Sequence, residues 1–161
     1  MIGQLTIFDF THNTNIRQWK VVNDVVMGGK SSGKITLSPE GKGLFKGTVS
    51  LENNGGFSSV RYTFPTTDVT EYSKFILQLR GDVKRYQFRV KENQSDYYSF
   101  ISYIQTSNVL SEYEIEFKEM CPVFRGRNLY MPNFAGKRME EVGLLIANKN
   151  PEIFALEIDK I

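Results

Sequence analysis

The chain has 161 residues, 40% apolar, 13% aromatic and 24% charged, a balance that excludes disorder and fits one domain spanning residues 1–161. Its 20 Lys and Arg against 18 Asp and Glu leave a net charge of +2, too small to argue for nucleic acid or an anionic membrane surface. Its single cysteine, Cys121, excludes an internal disulfide and a cysteine-based zinc site, and the longest apolar run, 142–147, is too short for a membrane-spanning helix.

In chain order, Met1-Ile2-Gly3-Gln4 runs straight into a strand-like segment, 5–10, with no signal pattern, so a cytoplasmic location is expected. A second strand is predicted over 18–22. The stretch that follows, Asn23-Asp24-Val25-Val26-Met27-Gly28-Gly29-Lys30-Ser31, is too mixed for an ordinary hairpin turn. Gly28 and Gly29 allow backbone angles closed to other residues, and Asn23 and Asp24 can bond their own backbone, so a tightly folded loop is expected. Strands are predicted over 33–37 and 44–51, joined by a Ser38-Pro39-Glu40-Gly41 turn. A second loop of the same character, Asn53-Asn54-Gly55-Gly56-Phe57, leads into a strand at 57–64, and Phe64-Pro65-Thr66-Thr67 reads as a turn.

Period-2 alternation then dominates. It marks strands at 75–80, 86–91 and 98–104, and it is strict across Glu112-Tyr113-Glu114-Ile115-Glu116-Phe117-Lys118. Cys121, followed by Pro122, reads as a small buried apolar residue. Residues 136–141 are compatible with a short helical turn, and 142–147 and 154–158 close the chain as strands. About eleven short strands with turn signals between them predict an all-β, antiparallel sandwich or barrel.

The side chains that could carry chemistry fall in three places. Asn23, Asp24 and Ser31 with Asn53 and Asn54 offer oxygens to sugar hydroxyls, a partner's backbone or a hard cation; equally, they can tighten their own glycine loops. Met27 either plugs the sandwich end or offers a soft contact. Arg125 and Arg127, flanking Gly126 after Phe124, can grip a carboxylate or phosphate, or pair with the Glu112, Glu114, Glu116 stripe. Arg61, Arg80, Arg89 and Lys91 read as a solvated charged sheet face. Trp19 with Tyr97 and Tyr98 could stack on a sugar, although a core role suits Trp19 better. His12 is the sole histidine, in a polar turn, so no nucleophile–base set is assembled, while Asp24, Asp82, Asp96 and Glu92 leave a hydrolytic carboxylate pair open, its separation set only by the fold. No cofactor motif or metal-ligand spacing is present, so neither cofactor nor metal is expected.

Trp19, Asn23-Asp24, Val26-Met27-Gly28-Gly29, Ser31, Phe45-Lys46-Gly47, Asn53 to Phe57 and Phe124-Arg125-Gly126-Arg127, in this order, resemble the complex I intermediate-associated protein family of the thirty-kilodalton class. The closing Val142-Gly143 and Phe154 to Ile158 extend the resemblance over nearly the whole chain. It implies an antiparallel jelly-roll β-sandwich similar to galactose-binding domains. Mitochondrial members are assembly factors for the respiratory NADH:ubiquinone oxidoreductase, and plant relatives carry the domain in larger proteins linked to chloroplast RNA or photosystem biogenesis. Here there is no transit peptide, and Val25 stands where the family usually has glycine. The resemblance implies a non-enzymatic module binding protein subunits of a larger complex, with carbohydrate as the alternative ligand. Its expected contact residues are Asn23, Asp24, Met27, Gly28, Gly29, Ser31, Asn53, Asn54, Gly55, Gly56, Phe57, Arg125 and Arg127.

Overall fold

The computed structural model of the chain describes residues 4–23, 31–52 and 56–161. Its strands are β1 (Trp19–Asn23), β2 (Ser32–Leu37), β3 (Gly43–Val49), β4 (Ser58–Asp68), β5 (Lys74–Arg80), β6 (Arg85–Lys91), β7 (Ser99–Gln105), β8 (Ser111–Glu116), β9 (Cys121–Phe124), β10 (Arg127–Asn128), β11 (Arg138–Ile146) and β12 (Glu152–Lys160). They form a seven-stranded sheet, β1-β4-β11-β6-β7-β9-β10, and a five-stranded sheet, β2-β3-β12-β5-β8. Every pairing is antiparallel, and the two sheets resolve the predicted sandwich or barrel into a sandwich, the jelly roll that the resemblance implies.

Alternation places the core. Phe75, Leu77 and Leu79 of β5 and Phe154, Leu156 and Ile158 of β12 face Tyr86, Phe88 and Val90 of β6 and Val142, Leu144 and Ile146 of β11, all buried. Rings cross the interface: Phe75 lies 4.8 Å from Phe88 edge-on, and Tyr86 lies 6.5 Å from Phe154. Each such side chain contributes about 1.5–3 kcal/mol through burial. Trp19 is core as well, 3% exposed, stacked on Tyr62 and flanked by Phe8 and Phe10. It is therefore unavailable as a sugar platform.

Several local expectations give way to tertiary structure. Residues 5–10 form no strand; Asp9 makes one bridge to Lys160, and the N–H groups of Ile7 and Phe10 bond the carbonyls of Ile161 and Asp159. The expected turn at 64–67 lies inside β4. There β4 inserts Phe64, Pro65 and Thr66 opposite the single residue Glu140, so Pro65 occupies a bulge where no ladder N–H is needed. The proposed helical turn at 136–141 is overturned: Arg138 to Glu141 begin β11, whose pairing with β4 outweighs a weak local preference. The strand at 112–118 stops at Glu116, and Phe117–Glu119 form a 3-10 turn that buries Phe117. The hairpin β9–β10 was not predicted, and Cys121 is exposed on it.

Asp82, in the crossover between the sheets, ties them together. One carboxylate oxygen accepts the Tyr86 hydroxyl proton at 3.0 Å, and the other accepts the Ala155 N–H at 2.8 Å. Tyr86 belongs to one sheet and Ala155 to the other. Burial, with the Asp82 charge beside it, drives the Tyr86 phenol far above its ordinary pKa, so it stays a neutral donor. Asp82→Ala leaves a buried hydroxyl and an amide without their acceptor and is expected to cost about 2 kcal/mol in urea unfolding, whereas Lys84→Ala, which removes only a partly exposed ion pair at 3.5 Å, should cost less than about 0.5 kcal/mol.

Candidate functional site

The outer face of the seven-stranded sheet collects charge at its centre. Because strand faces alternate, register decides which residues share it. Gly143 of β11 pairs with Arg61 of β4 on one side and Arg89 of β6 on the other; Lys20 and Ile101 extend this rung at its two ends, and Cys121 lies beyond Ile101. One rung along, Glu141 sits between Thr63 and Lys91. One rung the other way, Leu145 sits between Ser59 and Gln87, with Tyr103 beyond. Arg61, Arg89, Lys91 and Glu141 thus form a two-rung cluster around a residue with no side chain.

The cluster is partly sunk. Ile101 and Leu145, on the same face, are only 6% and 7% exposed, so Arg89 lies among apolar neighbours. Burial, reinforced by repulsion from Arg61, takes the Arg89 guanidinium down to about 10, and burial lowers the Lys91 ammonium, opposed by the charge of Glu141. Burial likewise raises the Glu141 carboxyl, although three cations pull it down. At about 10, the Arg89 guanidinium remains charged at neutral pH. Arg89 donates to the Gln87 side chain at 2.7 Å and Lys91 to the Asp96 carbonyl at 2.8 Å, and neither has a carboxylate within ion-pair distance among the described residues. Arg80, read with them in the sequence, belongs to the other sheet and pairs with Glu157 at 3.8 Å.

The residues expected to bind lie apart from one another. Asp24, Met27, Gly28, Gly29, Asn53, Asn54 and Gly55 fall outside the described residues. Asn23 ends β1, an edge of the sheet, and its side-chain oxygen accepts the Ser58 hydroxyl proton. Ser31 is buried; its hydroxyl donates to the Ser50 carbonyl at 3.2 Å and accepts the Ser50 N–H at 2.9 Å, which fixes the loop to the end of β3. Gly56, with φ +145, and the half-buried Phe57 lead into β4. Arg125 and Arg127 lie at the opposite edge, where β10 is six strand spacings or roughly 29 Å from β1.

Phe124 and Arg127 are paired, so Arg125 and Gly126, at φ 49 and 78, form a two-residue turn of the type that requires positive φ at both positions. The Arg125 guanidinium rests 5.2 Å from the Phe124 ring centre, and Tyr97 meets that ring edge-on at 5.1 Å. The glutamate stripe does not engage these arginines: Lys74 pairs with Glu114 at 3.1 Å and Lys118 with Glu116 at 3.4 Å. Sequence reasoning noticed Arg61, Arg89 and Lys91 but took them for a solvated face, and missed Glu141 and Gly143. The available signal was charged residues at the outward positions of central strands.

Comparison with known proteins follows this geometry. The family model described as Complex I intermediate-associated protein 30 (CIA30) matches residues 8–158. The mitochondrial complex I intermediate-associated protein 30 of Drosophila melanogaster is 30% identical over 96 residues, covering 50% of this chain and 32% of that protein. The chain therefore spans about a third of that relative's length. Among solved structures, the family 11 carbohydrate-binding module of the cellulosomal cellulase Lic26A-Cel5E of Clostridium thermocellum superposes with a TM-score of 0.70 at 16% identity, covering 100% of this chain and 96% of that one. The same organism's family 11 module in complex with a mixed-linked tetrasaccharide gives 0.64 at 15%, covering 97% and 94%. These two likenesses are of fold.

Two measurements probe the site's physics. Because the folded-state pKa of Glu141 is raised above the ordinary 4.5, its contribution to stability is full below that value and is lost as pH rises through the folded one. Glu141→Gln should therefore match the parent near pH 4 and become the more stable of the two towards neutrality; urea titrations across pH that show the parent more stable at pH 7 contradict a burial-dominated carboxyl. At Gly126 no atom lies within 4 Å of an added Cβ, so Gly126→Ala should cost about 1 kcal/mol from backbone strain alone.

Proposed function

The chain belongs to the Complex I intermediate-associated protein 30 family, and we propose on this premise that it is a non-enzymatic module binding protein subunits during assembly of a respiratory NADH dehydrogenase-type or other multi-subunit complex. The observation that carries the reading is the family match along residues 8–158. The chemistry of the fold agrees with it. The lone histidine, His12, contacts the Pro39 carbonyl at 3.1 Å on an exposed loop. Of the carboxylates considered for hydrolysis, Asp82 holds Tyr86 and Ala155 and Asp96 accepts the Asn93 N–H at 3.2 Å, while Asp24 lies outside the described residues.

The contact surface under this reading is the outer face of the seven-stranded sheet, with the Asn23 and Gly56-Phe57 segments at one edge and the Arg125/Arg127 turn at the other. No helix among the described residues is long and apolar enough to cross a membrane. The named relative is mitochondrial, and the cytoplasmic setting expected from the sequence applies to this chain as a proposal only.

A second reading, a carbohydrate-binding module, draws on Tyr103, which is 53% exposed on the same face. Against it, Arg85 lies 4.3 Å from the centre of that ring. A glycan array with the parent and Tyr103→Ala decides between them: tyrosine-dependent glycan binding would replace the first reading with the second.

For the first reading, the tagged full chain should enrich subunits of the respiratory NADH dehydrogenase from its own cells after cross-linking, at least fivefold over a tagged β-sandwich of unrelated family. Enrichment equal to that control would sink it.

A further inference from the structure

We infer that the partner's contribution to this surface is an extended acidic peptide segment, laid over the centre of the seven-stranded sheet with its carboxylates on Arg61, Arg89 and Lys91. The inference rests on the partner-binding reading and specifies the chemistry of what binds.

Three observations support it. The first is charge: three cations face one carboxylate, Glu141, in the two central rungs, and Arg61, Arg89 and Lys91 form no ion pair among the described residues. Guanidinium forks held in a partly desolvated setting bind carboxylate more strongly than exposed ones, because less water must be displaced and the local dielectric is lower. The second is shape. Gly143 leaves bare backbone between Arg61 and Arg89, whose own backbones are two strand spacings, about 10 Å, apart. A Cβ there would come within 2.8 Å of the Val60 carbonyl oxygen and 3.4 Å of Arg61 Cγ, so the strand pairing and the Arg61 stem reserve this position for glycine.

The third is periodicity. Arg89 and Lys91 are i and i+2 on one strand, about 6.6 Å apart, which is the repeat of side chains on one face of an extended peptide. Acidic residues two apart in a bound segment therefore meet successive cations. Ile101 and Leu145, on the same face beside these cations, keep water from their flanks and so strengthen the pairing. A simple inorganic anion would use the charge but not the repeat.

The test uses the full chain, hexaglutamate and the alternating peptide Glu-Leu-Glu-Leu-Glu-Leu, with hexaglutamine as the neutral control, read by NMR chemical-shift titration and by calorimetry. Both acidic peptides should bind and hexaglutamine should not. The alternating peptide, whose three glutamates share the face turned to the sheet, should bind within about threefold of hexaglutamate, with shifts centred on Gly143, Arg89 and Ile101 and affinity falling steeply with salt. The double variant Arg61→Ser, Arg89→Ser should lose at least tenfold in affinity. Thr63→Glu, an exposed position beside Glu141, should lose a comparable amount with every cation still in place, which guards against a folding artefact. Unchanged affinity in both variants, shifts confined to Arg125 and Arg127, or phosphate binding at this face with no peptide binding would each overturn the inference. Equal capture of complex subunits by the parent and the double variant also overturns it while leaving the partner-binding reading intact. Failure of the parent to capture any subunit removes that reading instead, whatever hexaglutamate does.

Discussion

The pleat of β11 is the constraint on which the rest of the molecule depends. Val142, Leu144 and Ile146 must point into the sandwich, because they carry the centre of its apolar interface. Glu141, Gly143 and Leu145 then have no choice but the outer face. The central strand of the seven-stranded sheet thus lays down, with one set of side chains, the core that stabilises the fold and, with the other, the floor of its most polar surface. Shifting the register by one residue would bury a carboxylate and expose three aliphatic side chains, so the core guards the placement of the surface cluster.

Asp82 is a polar tie between the two sheets. A carboxylate that accepts a phenol from one sheet and a backbone amide from the other converts generic apolar adhesion into a fixed relative placement. The pairing of β4 with β11 is interrupted by a bulge at Pro65. That bulge lies on the side towards Glu140 and Glu141, so the strand distortion ends one residue short of the cluster.

Much of the fold was legible because most strands bury one face and expose the other, and alternation survives in the sequence. It was strictest in β8 and clear in β5, β6 and β7. It failed where one face was not the determinant. Residues 5–10 read as a strand candidate but reach β12 through a single bridge, and the β9–β10 hairpin is too short, and too interrupted by Pro122, to show a period. The helical reading of 136–141 came from a charged local pattern that strand pairing overrides. The central cluster was illegible for a different reason. Arg61, Arg89 and Glu141 come from three strands distant in sequence, and only the non-local register sets them side by side. The loop residues, by contrast, were conspicuous in the sequence because tight loops need glycine and Asx residues. That is the work Asn23 and Ser31 do, in bonding Ser58 and Ser50.

Cys121 has a consequence for how the surface can be observed. It is the chain's single thiol and is exposed on the outer side of β9, in the rung that runs through Gly143, Arg89 and Ile101. Its backbone is two strand spacings, about 10 Å, from that of Arg89. A fluorophore or spin label attached there needs no engineered cysteine and reports from one defined place. The protein therefore comes with a built-in attachment point from which occupancy of its central face can be followed in real time.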